Sequence, residues 1–470
     1  MQWNRTTLYL PLIALVLAFP SHCLTQPATC NILWTNSVRI SFDSIPSYQP
    51  EIKIDGGTVH VFWFGDASTG GGLQYARSTD GGGSFSTQAT IVSFDSCLGI
   101  PGHSAVSGNY IYLTYALPVE GGLSYGIALL RSTDAGVSWQ PPVLLQSNAL
   151  PLFVASGDSE VYIHFLGPVN VPGLLTSRDY GITWSVAPGF QPSLSAIEPA
   201  TDQLHAIGQV GGNNRKEVAY YSSTNGGKSW IGPDILSVED LTFSTQPSLA
   251  VNENGNAVVA WNDTGTVKLR RSQNGGLSWS PEAAVSEERG SVFVSAATHA
   301  SFVGIVWDND FSGIGGIRIR SSNNFGRTFC PIDFPTTGTA VGQPSVKISG
   351  NSLHLVWSEQ RESSGEIIYR RGMLTEDPSL APPTRFALRQ NYPNPFNNIT
   401  IIEYDVPATS FITLKLYDVL GEDVGTIIAE TKNQGRYSIG FEGGGLPSGV
   451  YFYRMTSDQF VESRKLLILR

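Results

Sequence analysis

Seven short apolar segments recur along this chain, and their spacing limits the fold more than any other feature. They are Val59 to Trp63, Ile111 to Tyr115, Val161 to Phe165, Leu204 to Gly208, Ala257 to Trp261, Val303 to Trp307 and Leu353 to Trp357. Their first residues lie 52, 50, 43, 53, 46 and 50 positions apart. A unit of this period cannot bury its apolar surface alone and must pack against its neighbours. Five-residue length, β-branched and aromatic content, and flanking Gly, Asn and Asp mark each segment as a strand. Further apolar stretches lie about ten residues before, as in Pro247 to Val251 and Pro344 to Ile348, and about ten after, as in Leu73 to Arg77, Val267 to Arg271 and Ile367 to Arg371. With 50 Gly and 28 Pro in 470 residues, turns are favoured over long helices.

A sharper motif follows the third stretch of each unit: Ser-x-Asp/Asn-x-Gly-x-Ser/Thr-aromatic. It occurs at Ser78 to Phe85, Ser132 to Trp139, Ser177 to Trp184, Ser223 to Trp230, Ser272 to Trp279 and Ser322 to Phe329. Ser and Asp or Asn side chains hydrogen-bond nearby backbone in turns. The Gly permits a positive φ, and the aromatic residue packs back onto the sheet. Asp80, Asp134, Asp179, Asn225, Asn274 and Asn324 therefore read as structural residues of a staple between third and fourth strands. The motif resembles the Asp-box, or bacterial neuraminidase repeat, of sialidase-like β-propellers. That resemblance is specific for fold and says little about activity.

Seven second strands face only six boxes, because the last unit ends near Met373 without one. The segment Ile32 to Phe42 has strand character and no other partner. It is expected to complete the seventh unit and so join the two ends of the domain. The fold class is all-β: a seven-bladed β-propeller over residues 30–374, with a six-bladed ring as the alternative, followed by a small Ig-like β-sandwich.

The ends of the chain concern export. Arg5 ahead of the apolar run Leu8 to Phe19 reads as a signal peptide over residues 1–26. No later stretch reads as a membrane span. Residues 375–385 are a Pro-containing linker. From 386 to 470, Asn391-Tyr-Pro-Asn-Pro-Phe396, Leu416-Tyr-Asp-Val-Leu-Gly421, Ser448-Gly-Val-Tyr451 and the basic pair Arg464-Lys465 resemble the type A sorting domain of the bacterial type IX secretion system. The resemblance implies passage through the periplasm to the exterior or outer surface of a Gram-negative cell, with the type IX machinery as a partner. Of the cysteines beyond the signal, Cys30 and Cys330 are expected to lie close together, since both precede fourth strands of adjacent blades. Cys97 is the third.

Charge narrows the partners. Residues 27–384 hold 19 basic and 30 acidic side chains, a net of −11 within a total of −10. A body this acidic repels phosphate backbones, which argues against nucleic acid. The resemblance to sialidases would require three convergent arginines, a Tyr paired with a Glu, and an Asp. The first of those arginines belongs to an Arg-Ile-Pro motif, and Ser44-Ile45-Pro46 stands at the corresponding place. Arg77, Arg131, Arg270, Arg271, Arg318, Arg320, Arg370 and Arg371 share one repeat position at the end of third strands, which implies a structural role. Arg39, Arg215, Arg289 and Arg361 fall outside it. No catalytic residue is assigned. His60, His205 and His354 recur in second strands, far apart in a ring, so no metal site is assigned either.

A binding face is the remaining expectation. In an up-and-down blade, the loops joining strands two and three gather on one side. Asp66, Glu120, Asp263, Asp308, Asp310 and Glu359 lie in these loops, with Trp63, Trp261, Trp307 and Trp357 at their bases. Carboxylates beside aromatic faces suit sugars, or a Ca²⁺ ion for which no motif is present. The alternative is that the tryptophans fill the core and the acids are solvated. The leading reading is thus a secreted or cell-surface protein binding a glycan or a protein ligand. A sialidase-like glycoside hydrolase or lyase is the first alternative, and a structural or adhesive surface protein the second.

Overall fold

The structure is a computed structural model. It describes residues 32–470 apart from 43–45, 67–70, 94–102, 120–123, 189, 191, 201–202, 213–215, 239–242, 287–289, 291–292, 310–315, 337–339, 362–363, 375–382, 384, 392, 398, 433–434, 444, 458–459 and 470. The signal segment, Cys30, Cys97, Glu120, Asp310, Arg215 and Arg289 lie outside the described residues. The chain divides into two units, Pro27–Asp377 and Pro378–Arg470. Among the described residues no helix is long and apolar enough to cross a membrane.

The first unit is built of antiparallel sheets in which consecutive strands pair in order. Sheet 1 comprises Ser47–Asp55, Thr58–Gly65, Gly72–Ser78 and Ala89–Ser93. Sheet 2 comprises Ser104–Ser107, Tyr110–Pro118, Tyr125–Ser132 and Val143–Ser147. Sheet 3 runs Leu150–Gly157, Glu160–Leu166, Pro172–Ser177 and Ser185–Val186. Sheet 4 runs Leu194–Pro199, Leu204–Val210, Glu217–Ser223 and Ile231–Ile235. Sheet 5 follows with Ser244–Val251, Ala257–Asp263, Thr266–Ser272 and Ala283–Ala284. Sheet 6 has three strands, Val294–His299, Phe302–Asn309 and Gly316–Ser322. Its expected fourth strand is reduced to a bridge between Ile319 and Asp333. Sheet 7 pairs Ala340–Ser349, Ser352–Arg361 and Ser364–Leu374, and its outer strand comes from the other end of the unit. Ile32 stands opposite Leu374, and Val38 opposite Tyr369.

The first strand of each sheet packs on the first strand of the next, from sheet 1 through to sheet 7, and that of sheet 7 packs on that of sheet 1. Side chains bridge four of these seams to backbone N–H groups. Ala296 N donates to Ser248 Oγ (3.0 Å), Val346 N to Ser295 Oγ (3.2 Å), Ile52 N to Ser345 Oγ (3.3 Å) and Ser104 N to Glu51 Oε2 (2.8 Å). The bonds satisfy edge groups that the sheets themselves leave open.

Each box holds one geometry. In the second, Ser132 Oγ donates to Asp134 Oδ1 (2.8 Å) and accepts from Gly136 N (2.9 Å). Ser138 donates its N–H to Asp134 Oδ1 (2.9 Å) and its hydroxyl to Oδ2 (2.5 Å). Where Asn replaces Asp the last bond reverses. Asn225 Nδ2 donates to Ser229 Oγ (2.8 Å), Asn274 Nδ2 to Ser278 Oγ (2.8 Å) and Asn324 Nδ2 to Thr328 Oγ1 (2.7 Å). Hydrogen bonds from Ser138 and Thr183 draw Asp134 and Asp179 down to about 2. The backbone of Ser84 leads the same effect on Asp80, whose carboxyl is also lowered.

The second unit is a β-sandwich. Three strands, Ala387–Leu388, Ile399–Val406 and Gly435–Glu442, face four, Ser410–Tyr417, Asp423–Lys432, Gly449–Ser457 and Phe460–Ile468. Leu388, Ile402 and Tyr404 meet Leu414, Tyr453 and Met455 in its core. The motif opening this unit is pinned there: Asn391 donates its backbone N–H to Tyr453 Oη (2.7 Å) and its amide to Thr400 Oγ1 (2.9 Å).

Candidate ligand-binding face

The boxes lie at one end of the sheets, and the first strands begin at the other, beside the second-to-third connections. Four of the six candidate acids fall within the described residues, and each has a partner. Tyr48 Oη donates to Asp66 Oδ2 (2.7 Å). Asp308 Oδ1 accepts from Phe293 N (2.9 Å) and Glu359 Oε2 from the Trp357 indole (3.1 Å). Asp263 lies 3.9 Å from Lys268 Nζ. The neighbouring tryptophans follow the alternative expected from the sequence, that they fill the core. Trp63 and Trp261 are 0 % exposed, Trp307 and Trp357 1 %. Packing between sheets consumes their faces, so none is free to stack on a ligand.

The arginines divide in two. Arg77 Nη1 donates to Ala135 O (3.0 Å), Arg131 Nη1 to Tyr180 O (2.7 Å) and Arg371 Nη1 to Gly81 O (2.9 Å), each tying a third strand to the box of the following sheet. Arg39, outside that pattern, sits 3.0 Å from Glu366, which stands directly opposite Glu359 in the sheet. The recurring histidines serve the same seams. His60, His205 and His354 bond through Nδ1 to the hydroxyls of Tyr75, Tyr220 and Tyr369, all at 2.8 Å. Those tyrosines abut Gly136, Gly276 and Gly82 of the next boxes, at φ 79°, 84° and 90°, where a Cβ would clash. Among the described residues no three His, Cys, Asp or Glu side chains converge on a metal position. Cys330 is disulfide-bonded.

Two features emerge only in three dimensions. The first is a repeated Gln-Pro. Gln49, Gln246 and Gln343 precede Pro50, Pro247 and Pro344 with φ of 51°, 50° and 55°. Each sits where the register of a first strand slips, between Tyr48 and Glu51, Thr245 and Ser248, and Gly342 and Ser345. A bulge accounts for the slip. A left-handed, non-glycine residue ahead of proline is nonetheless costly. Gln343 Oε1 accepts from Gln49 N (2.8 Å), while the side chains of Gln49 and Gln246 are exposed. Tyr48 lies beside them, its hydroxyl pushed up to about 12 by burial, by the hydrogen bond to Asp66 and by that carboxylate's charge. The dipeptide is in the sequence, within these three first strands and again at Gln191-Pro192 ahead of a fourth, but its left-handed backbone is not legible there.

The second feature is a cavity of about 190 Å³, whose lining includes Lys53 of sheet 1, Ala105 of sheet 2, Ser156 of sheet 3, Glu198 of sheet 4 and Lys347 of sheet 7. Lys53 Nζ is 2.8 Å from Glu51, and Lys347 Nζ is 3.6 Å from Glu198. Burial alone would raise Glu51, yet Lys53, His103 and the bonds from Lys53 and Ser104 hold it at about 2. Lys53 is raised despite its own burial, through Glu51 and Glu198. No local pattern announces this cluster, because its members come from opposite parts of the chain.

Comparison with known proteins bears first on the C-terminal unit. Residues 390–469 match the family of the secretion system C-terminal sorting domain. That unit is a secretion sorting module. Among solved structures the chain is similar to a protein of unknown function from Dyadobacter fermentans, at 13% identity over 74% of this chain and 99% of that one, TM-score 0.46. It is similar also to the phage phi92 endosialidase (11% identity, 92% and 87% covered, TM-score 0.47) and to a polysaccharide lyase, an ulvan lyase (11%, 71% and 95%, TM-score 0.49). No curated protein matches the chain.

Proposed function

We propose that the chain is an exported protein whose seven sheets are the blades of a closed Asp-box β-propeller, and that it binds a glycan at the end where the first strands begin. Type IX secretion through the sorting module would deliver it to the cell surface or beyond. Closure is supported by the packing of sheet 7 on sheet 1 and by one cavity bordered by sheets 1, 2, 3, 4 and 7. The observation that carries the ligand reading is the set of three left-handed Gln-Pro bulges. Glycine would form such a bulge without strain. Retaining glutamine there places amide donors and acceptors at the entrance, which match sugar hydroxyls. A glycan array probed with the full-length chain should give binding to hydroxylated oligosaccharides that falls about tenfold in the double variant Gln49→Ala, Gln246→Ala. Unchanged binding in that variant would end this reading.

An enzymatic reading retains one specific support. Glu359 and Glu366 are cross-strand neighbours, and Arg39 pairs with the second. Opposed residues in a sheet place their Cβ atoms about 5 Å apart, which sets two acids and a guanidinium side by side. Turnover of a fluorogenic sialoside that is abolished by Glu359→Gln would replace the binding reading with this one.

A further inference from the structure

Four of the seams between sheets share a side-chain tie to a box carbonyl, and the seam from sheet 3 to sheet 4 departs from it. An arginine near the end of the third strand ties sheet 1 to the second box, sheet 2 to the third and sheet 7 to the first. Gln203 makes the tie from sheet 4, donating to Gly275 O at 2.7 Å. In sheet 3 the arginine position holds Thr176, whose hydroxyl turns to Ser185 of its own sheet (3.0 Å). The nearby arginine is Arg178, two residues on and inside the box, where its side chain is 57 % exposed. With that tie missing, a groove of about 510 Å³ opens between sheets 3 and 4, lined by Glu160, Tyr162, Arg178, Gln203, Asn225 and Lys228. Lys228 also borders an adjoining hollow of about 440 Å³, walled by Phe190, Tyr221, Trp230 and Pro233.

The chemistry of the two hollows is complementary. The groove offers a guanidinium and an ammonium against one carboxylate, and that carboxylate already accepts the Tyr162 hydroxyl and lies 3.8 Å from Arg178. Lys228 makes no ion pair among the described residues. Guanidinium and ammonium groups bind carboxylate and sulfate through charge-assisted hydrogen bonds. The second hollow has aromatic and proline walls beside Ser229 and Lys228, which suit the apolar face and the hydroxyls of a pyranose ring. We infer that the seam between sheets 3 and 4 binds an anionic oligosaccharide, a chain of pyranose rings bearing carboxylate or sulfate groups. The body of the protein is acidic, so a ligand must place its charge within about 8 Å of Arg178 and Lys228 to escape the general repulsion. A chain lying along the groove does so. This site is at the box end of the sheets and does not depend on the glutamine entrance.

Isothermal titration of the full-length chain with tetragalacturonate, a chondroitin sulfate tetrasaccharide and maltotetraose tests it. The expected result is binding of at least one acidic ligand over the neutral one, with a loss of about tenfold or more in Arg178→Gln and in Lys228→Gln. The acidic ligand that binds identifies the charged group. Unaltered melting temperatures keep a folding defect from imitating the loss. Maltotetraose binding that falls as far as acidic binding in Arg178→Gln and Lys228→Gln, no acidic binding, tighter binding of a tetraglutamate peptide, or folded variants of undiminished affinity for the acidic ligand would each overturn the inference.

Discussion

At the scale of single residues, the seams depend on histidines kept neutral. Burial lowers His60, His205 and His354 from 6.5 to about 4, with Arg77 and Arg371 adding to the effect on the first and third. In the unfolded chain these rings take up protons near pH 6.5, whereas the folded chain resists until about 4. Between those values the unfolded state binds more protons, so stability falls as pH falls through that window and is fully present above it. Melting temperature measured from pH 8 to 4 should be level above about 7 and then decline. His60→Gln with His354→Gln should flatten that decline, because Gln keeps a polar partner for the tyrosine without a titrating group. A decline of equal steepness in the double variant would show that other groups carry it.

At the scale of the element, the box is a turn whose Ser, Asp and Asn side chains hydrogen-bond within the motif. Asp134 accepts from Ser132 and Ser138, and the Asn boxes reverse only one bond. Asp134→Asn should therefore melt close to the parent at pH 7, and Asp134→Ala clearly lower, as differential scanning calorimetry would show. The Asp is depressed to about 2, so its contribution is present above the unfolded value and is lost as pH falls through the folded one. Asp134→Asn should accordingly lose less stability than the parent between pH 4 and 2. Locality also explains what was legible. Ser-x-Asp-x-Gly-x-Ser-Trp139 carries its partners within eight residues, and Ile111 to Tyr115 carries its strand character within five. Asp308 read as a loop acid because its partner, Phe293 N, comes from the start of the neighbouring strand rather than from a sequence neighbour. The fourth strand of sheet 6 shrank to the bridge at Asp333, whose carboxylate instead accepts from the Trp34 indole (2.7 Å).

At the scale of the whole molecule, the ends of the first unit meet in one sheet. The segment Ile32 to Phe42 was legible as the missing strand because the count of boxes left one unit short; Lys53, Glu198 and Lys347 were not, since only the curvature of the assembled sheets brings them together. Joining the ends has an energetic consequence. Ile40 is fully buried, its N–H donates to Ile367 O (2.8 Å), and the Arg370 guanidinium stacks 5.2 Å from the Trp34 ring while its Nε donates to Thr35 O (2.8 Å). A chain beginning at Pro46 exposes these surfaces and leaves the strand Ser364–Leu374 with an open, apolar edge. At about 1.5–3 kcal/mol for each large apolar side chain, losing Ile32, Trp34 and Ile40 costs roughly 5 kcal/mol or more. That corresponds to a drop of about 7 °C in a domain of this size. Removing Pro378–Arg470 instead should leave the same transition in place, because that unit has its own core. Calorimetry on the two truncations separates these outcomes: equal melting of the N-terminal truncation and the parent would mean that the first unit does not depend on the strand from its N-terminal end.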